Sequence, residues 1–260
     1  MQPQLINPRR TQPFVIQLLD LTLIQLANWR WSWRATLLTG LVAPVMGTAA
    51  LGVFARDSGA DAMAYVLTGN MVMSLLFGTF DRVSTHFAYM RAVGRLDFFA
   101  TLPVYRVALI LATVVAFLGL ALPAVAITLL VGTLILDVDL AISPWIVVVV
   151  PLIGVSMCGL GALLGVSVRT PEEVGNLSSL ITFVLLGFGP VIVPPDRLPD
   201  VVTTLGYLSP ATYAASALRQ TVLAQPDRIP LGVDLIVLAA ILAGSLWVVG
   251  RFMDWRQTGA

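Results

Sequence analysis

The sequence contains no lysine: all 15 basic residues among its 260 are arginine. That absence removes several kinds of chemistry. A Walker A phosphate loop needs a lysine to reach the β- and γ-phosphates of a nucleotide. Schiff-base catalysis and the Ser-x-x-Lys nucleophile pair need one too. The single cysteine, Cys158, lies inside an apolar run, so no intrachain disulfide can form. With one histidine and one cysteine, the usual ligand set for zinc is missing. Charge is scarce as well. Charged residues make up 11% of the chain, against about 25% in an average soluble domain. The net charge of +1 points to no particular partner. What remains is 58% hydrophobic, with a mean hydropathy of +0.90. Such a composition is that of a polytopic membrane protein, with an all-α fold.

A spanning helix needs about 20 mostly apolar residues. Runs of this kind occupy 35–55, 62–80, 107–136, 144–168, 174–193 and 229–250, the last with Asp234 near its start. Six spans in a single domain are therefore expected. Orientation follows the arginines. With the N-terminus inside, the inner segments hold Arg9, Arg10, Arg30, Arg34, Arg82, Arg91, Arg95, Arg106, Arg169, Arg251 and Arg256. The outer ones hold Arg56, Arg197, Arg219 and Arg228. Both termini are then cytoplasmic. The polar N-terminal stretch lacks the apolar core and small-residue cleavage site of a signal peptide.

Three segments are too polar to span. Over 14–34, Gln17, Asp20 and Asn28 fall near one helical face, and Ile16, Leu19, Leu23, Leu26 and Ala27 on another. Trp29, Trp31 and Trp33 follow, which favours an amphipathic helix in the membrane interface. Over 81–104, Val83, Phe87 and Met90 form one apolar set, and Leu96, Phe99 and Leu102 a second, with Gly94 between them. This predicts two short helices in a cytoplasmic elbow whose aromatic and arginine side chains suit a protein interface. Pro103 fits the first turn of the next helix. Over 194–228, Pro194, Pro195, Pro199 and Pro210 accompany two helical stretches, about Asp200–Gly206 and Ala211–Leu223, which fits short re-entrant helices on the outer side.

Two stretches carry a resemblance. "GRLDFFATLPVYRVALIL" (94–111) and "LGYLSPATYAASALRQ" (205–220) stand in order on a six-span frame. In this the chain resembles the ABC-2 type permeases, the membrane subunits of ABC exporters for drugs, lipids and polysaccharides. The first stretch looks like the family's coupling-helix region, the second like its outer segment, here with Pro210, Tyr213 and Arg219. The resemblance implies a permease in a bacterial-type inner membrane. It would pair with a second six-span subunit, identical or paralogous, and with two copies of a separate ATPase. ATP and magnesium would bind that ATPase, no cofactor would bind this chain, and no nucleic acid would be involved. The missing lysine agrees independently that the motor is another polypeptide. It further implies ATPase docking through Arg91, Arg95, Leu96, Asp97, Phe98, Phe99, Leu102 and Arg106, with the N-terminal helix as a second contact.

Polar groups at membrane depth, Asn70, Asn176, Ser179 and Thr182 with Ser178, are candidates to line a path. Their alternative role is interhelical hydrogen bonding, worth about 0.6 kcal/mol each. Gly161 and Gly165 form a Gly-x-x-x-Gly pair suited to close packing. His86 reads as a solvated elbow residue. An ATP-independent carrier would favour ionisable groups near mid-span, and the apolar runs carry none there. An intramembrane serine protease would need a nucleophile elbow and a membrane-depth histidine, and neither is present. Glu172 and Glu173 read as loop polarity rather than a transferase site. A non-transporting membrane scaffold remains the third alternative.

Overall fold

The structure, a computed structural model, describes residues 13–28, 42, 45–53, 59–102, 104–136, 138–168 and 170–252. Every regular element among them is helical. In order they are α1 (Phe14–Asn28), α2 (45–53), α3 (Ala60–Leu75), a π turn (Leu76–Asp81), α4 (Arg82–Ala92) and α5 (Arg95–Thr101). Then come α6 (Arg106–Leu136), α7 (Ile146–Ser167), α8 (Pro171–Gly187), α9 (Asp200–Gly206), α10 (Pro210–Val222) and α11 (Leu231–Phe252). A helix satisfies its own backbone hydrogen bonds, so it is the form an apolar run takes where water is excluded. Four described stretches are long and apolar enough to cross a bilayer: Asp61–Ala92, Val107–Leu136, Ile146–Ser167 and Leu231–Arg251. α8 is shorter, at 17 residues. Most of the apolar run at 35–55, and the tryptophans at 29, 31 and 33, lie outside the described residues.

The chain departs from the expected break at Asp81. α3, the π turn and α4 form one continuous helix through the charged pair Asp81–Arg82. The charge does not end the helix because its partners come from the bundle. Ser178 of α8 donates to the Asp81 carboxylate. Ser84 and Thr85 donate back to the Asp81 carbonyl at 2.8 and 3.0 Å. Val83, Phe87 and Met90 are buried rather than turned to a membrane surface. The elbow proper begins only at Val93.

Helix packing is set by small residues and hydroxyls. A Cβ on Gly161 of α7 would lie 2.5 Å from the Phe80 carbonyl oxygen, and one on Gly165 would meet the Ser84 carbonyl. The Gly-x-x-x-Gly pair thus brings the α7 backbone directly onto the π turn and α4. Ser74 and Thr128 join α3 to α6 at 2.7 Å, and Ser156 of α7 donates to the Leu238 carbonyl of α11 at 2.9 Å. α1 lies on α6 with Gln17, Leu21 and Gln25 inward, while Asp20 is exposed. The Tyr105 amide donates to Gln17 Oε1 at 3.0 Å, and Gln25 Nε2 donates to Thr113 Oγ1 at 3.1 Å. The two contacts advance in step, so α1 runs alongside the start of α6 rather than across it. Leu19 and Leu23 point outward and are exposed. The outward leucines suit an apolar surrounding.

The bundle has two distinct ends. At one, the α6–α7 connection is pinned to α10: the Ala141 amide donates to the Val222 carbonyl at 3.0 Å, and the Ser143 amide to that of Thr221 at 2.7 Å. Ser209 reaches the Leu185 carbonyl of α8 there at 3.3 Å. At the other end, Arg91 Nη1 donates to the Val166 carbonyl of α7 at 2.8 Å. The glycine contact yields a test. Gly161→Ala forces two backbones apart and should lower stability by about 1–3 kcal/mol in denaturant unfolding of the purified chain. Gly119→Ala, which meets nothing within 4 Å, should change it by less than about 0.5 kcal/mol.

Candidate functional site

The elbow is built from a reversal. Gly94 adopts φ 69°, a left-handed conformation that costs glycine little, and it turns the chain from α4 into α5. Leu96 is buried beneath α5 with Leu21, Phe87 and Met90, and Phe99 packs half-buried on the same cluster. Phe98 faces outward at 62% exposure, its ring edge-on to Phe99 with centroids 5.9 Å apart. Arg95 is exposed beside it and Asp97 half-buried. Tyr89 and Val93 extend the exposed apolar surface and were not among the expected residues. The eight docking candidates therefore divide. Leu96 and Phe99 anchor α5, Arg91 ties the elbow to α7, and Phe98 and Arg95 are presented outward. Leu102 closes α5 half-buried. Arg106 opens α6, its side chain lying outside the described residues.

The path-lining candidates do not share one environment. Asn70 is fully buried, with Nδ2 donating to the Val66 carbonyl at 2.8 Å. Its Oδ1 faces Gly47 of α2 and has no partner among the described residues. Thr182 is buried in α8, whereas Asn176 is exposed and Ser179 half-buried. Ser178 is committed to Asp81. A cavity of about 340 Å³ opens between α4 and the start of α8, lined by Asp81, Arg82, Thr85, His86, Tyr89 and Pro171. His86 is packed edge-on against Phe117, centroids 5.1 Å apart, rather than solvated as expected.

The opposite end holds the densest polar cluster. α10 begins at Pro210, where a missing amide proton costs nothing, and its alanines at 211, 214, 215 and 217 are buried. Their small size admits the helix into the bundle, where it carries Ser216, Arg219 and Gln220. The Arg219 side chain is 3% exposed. Its Nε and Nη2 donate to Asp227 Oδ2 at 2.8 and 2.7 Å, and its guanidinium lies 4.0 Å over the Tyr65 ring of α3. Ser216 and Gln220 donate to Asp234 Oδ2 of α11 at 2.7 and 3.0 Å. Gln220 also reaches the Ile229 carbonyl at 3.0 Å. Tyr213 fixes the α9–α10 turn by donating to the Tyr207 carbonyl at 2.7 Å. Of the outer-segment candidates, Arg219 is thus the hub, while Pro210 and Tyr213 shape its helix. Tyr65, Asp227, Ser216 and Gln220 were missed; the i, i+4 polar pair on an alanine-rich helix was the available signal.

Long apolar helices joined by glycine and hydroxyl contacts define a multi-pass membrane protein. Residues 17–223 match the model of the ABC-2 type transporter family. The chain belongs to that family, which makes it a transmembrane permease of an ABC transporter. A comparison with curated proteins finds no match.

The buried cluster yields a contrast. Asp227→Ala leaves the Arg219 charge buried without its partner and should cost about 3–5 kcal/mol in unfolding measurements. Asp196→Ala breaks the exposed pair with Arg228 at 2.7 Å and should cost less than about 1 kcal/mol.

Proposed function

We propose that the chain is the permease subunit of an ATP-driven exporter, forming the path for an amphipathic drug, lipid or polysaccharide-type cargo. A separate ATPase, in two copies, hydrolyses ATP with magnesium. A second six-span subunit completes the path. The observation that carries this reading is the exposed Phe98–Arg95 surface on an elbow anchored to the bundle, in a family member that lacks the lysine of a nucleotide loop. ABC-2 permease domains generally pair with an ATPase subunit.

In this reading the chain crosses the bacterial-type inner membrane six times, with the arginine-rich elbow end in the cytoplasm. Phe98 fills a pocket on the ATPase. Arg95 and Asp97 set register, and Arg91 passes displacement to α7 through the Val166 carbonyl. α1, beside the start of α6, is the second contact. The other reading, an ATP-independent carrier, draws on the carboxylates Asp81 and Asp234 within the bundle. Each is instead held by side-chain donors of a neighbouring helix, which suits packing.

The test is co-purification from the native membrane. A Walker A-bearing ATPase should accompany the chain, and its absence would overturn the exporter. Phe98→Ala should leave insertion and unfolding midpoint unchanged, because the ring is largely exposed. It should weaken ATPase binding by about thirtyfold, the loss of one aromatic anchor. Unchanged binding would remove the elbow from the interface.

A further inference from the structure

The connection from α10 to α11, residues 223–230, is held in a shape that its own sequence does not favour. Ala224, just past the end of α10, has φ 49°. Helices commonly end on a left-handed residue, but glycine usually takes the position, because a Cβ there crowds the carbonyl oxygen. No other non-glycine residue among the described residues has a positive φ. A residue stays in such a conformation where the surrounding structure over-determines it. Here the connection is tied along its length. Asp227 Oδ2 accepts from Arg219 Nη2 at 2.7 Å, and Oδ1 accepts from the Arg228 amide at 2.7 Å. Arg228 Nη2 donates to Asp196 Oδ1 in the Pro195–Arg197 turn at 2.7 Å. Gln220 of α10 holds the Ile229 carbonyl at 3.0 Å. Pro226 and Pro230 fix φ at two further positions and stiffen the segment.

The two ion pairs are of unequal strength. The Arg219 and Asp227 side chains are 3% and 10% exposed, whereas those of Arg228 and Asp196 are 60% and 80% exposed. A buried pair is little screened by salt and costly to break. An exposed pair is weak and weaker still at high ionic strength. All four residues line a cavity of about 360 Å³ at this end of the bundle, together with Asp61 and Tyr65 of α3. Arg219 ties the connection to α10 and lies 4.0 Å over the Tyr65 ring. The tie between the connection and the Pro195–Arg197 turn, two walls of the same cavity, is the exposed pair.

We propose that residues 223–230 form a strap over this cavity, with Arg228–Asp196 as its releasable catch and Arg219–Asp227 as its fixed side. Release of the catch parts the strap from the turn and lets the strained backbone at Ala224 relax. The buried pair keeps the strap attached to α10 meanwhile. Access to the cavity therefore rises when the exposed pair is broken or screened.

The experiment uses the full purified chain with Gln225→Cys, a half-buried position in the cavity wall, labelled by an uncharged maleimide so that salt does not alter the approach of the reagent. Cys158 is fully buried and stays silent. Raising salt from about 0.1 M to about 1 M should speed labelling about two- to fivefold, the range open to an exposed ion pair. Adding Asp196→Ala should give the faster rate at low salt and remove the salt dependence. Exchanging the charges, Asp196→Arg with Arg228→Asp, should restore slow, salt-sensitive labelling. Labelling that ignores salt, a rate unchanged by Asp196→Ala, a salt effect that survives it, or a charge exchange that leaves labelling fast would each overturn the strap. None of these results touches the export reading, which stands or falls on ATPase co-purification.

Discussion

The packing of this protein depends on a close contact between two backbones. Gly161 and Gly165 set α7 against the carbonyls of Phe80 and Ser84. In a bilayer the apolar effect that drives helices together in water is absent, so van der Waals contact and hydrogen bonding must do that work. Side chains at these two positions would hold α7 away from the long α3–α4 helix. The same approach seats Ser178 of α8 on Asp81 and lets Ser156 of α7 reach α11. The long helix can therefore carry a charged residue through its middle portion without a break.

The two ends of the bundle use polarity differently. At the elbow, Arg95 is exposed and the Phe98 ring is turned outward. At the far end, Arg219, Asp227 and Asp234 are drawn inside, while Asp61, Asp196 and Arg228 stay exposed. Burying a guanidinium is expensive unless it is paired and its hydrogen bonds are largely made. Asp227, Tyr65 and the alanine face of α10 together meet that demand. The 194–228 segment is consequently fixed to α3, α8 and α11 instead of looping freely over them.

The sequence made the helical class and the long apolar helices readable, because hydrophobicity over 20 or so residues is a local property. α6, α7 and α11 begin and end close to the runs that announced them. Asp81 misled for a corresponding reason. A charge after an apolar run ordinarily marks its end, and the hydroxyl that hydrogen-bonds this one is 97 residues away. The Gly161–Gly165 pair advertised close packing but not against which helix. Arg219 stood out from its motif, whereas its partners Tyr65 and Asp227 come from two other segments, and nothing local marks them. His86 looked solvated because its surroundings, Phe117 among them, arrive from α6.

The continuity of the long helix bears on how the two ends communicate. From Asp61 to Ala92 it runs 32 residues, roughly 48 Å at the α-helical rise. Asp61 and Tyr65 sit in the wall of a cavity at the end opposite the elbow, and Arg91 sits at the elbow. No relay of side chains is needed between them, since both belong to one rod. The rod is also anchored near its middle, where α7 touches it at Phe80 and α8 at Asp81. α7 also follows it from Gly165 at Ser84 to Val166 at Arg91, and α6 holds it at Ser74 through Thr128. The Tyr65 ring against Arg219 ties the Asp61 end of the rod to α10 and its loop. The π turn at Leu76–Asp81 coincides with that anchored region, and such turns often mark functional positions in helices.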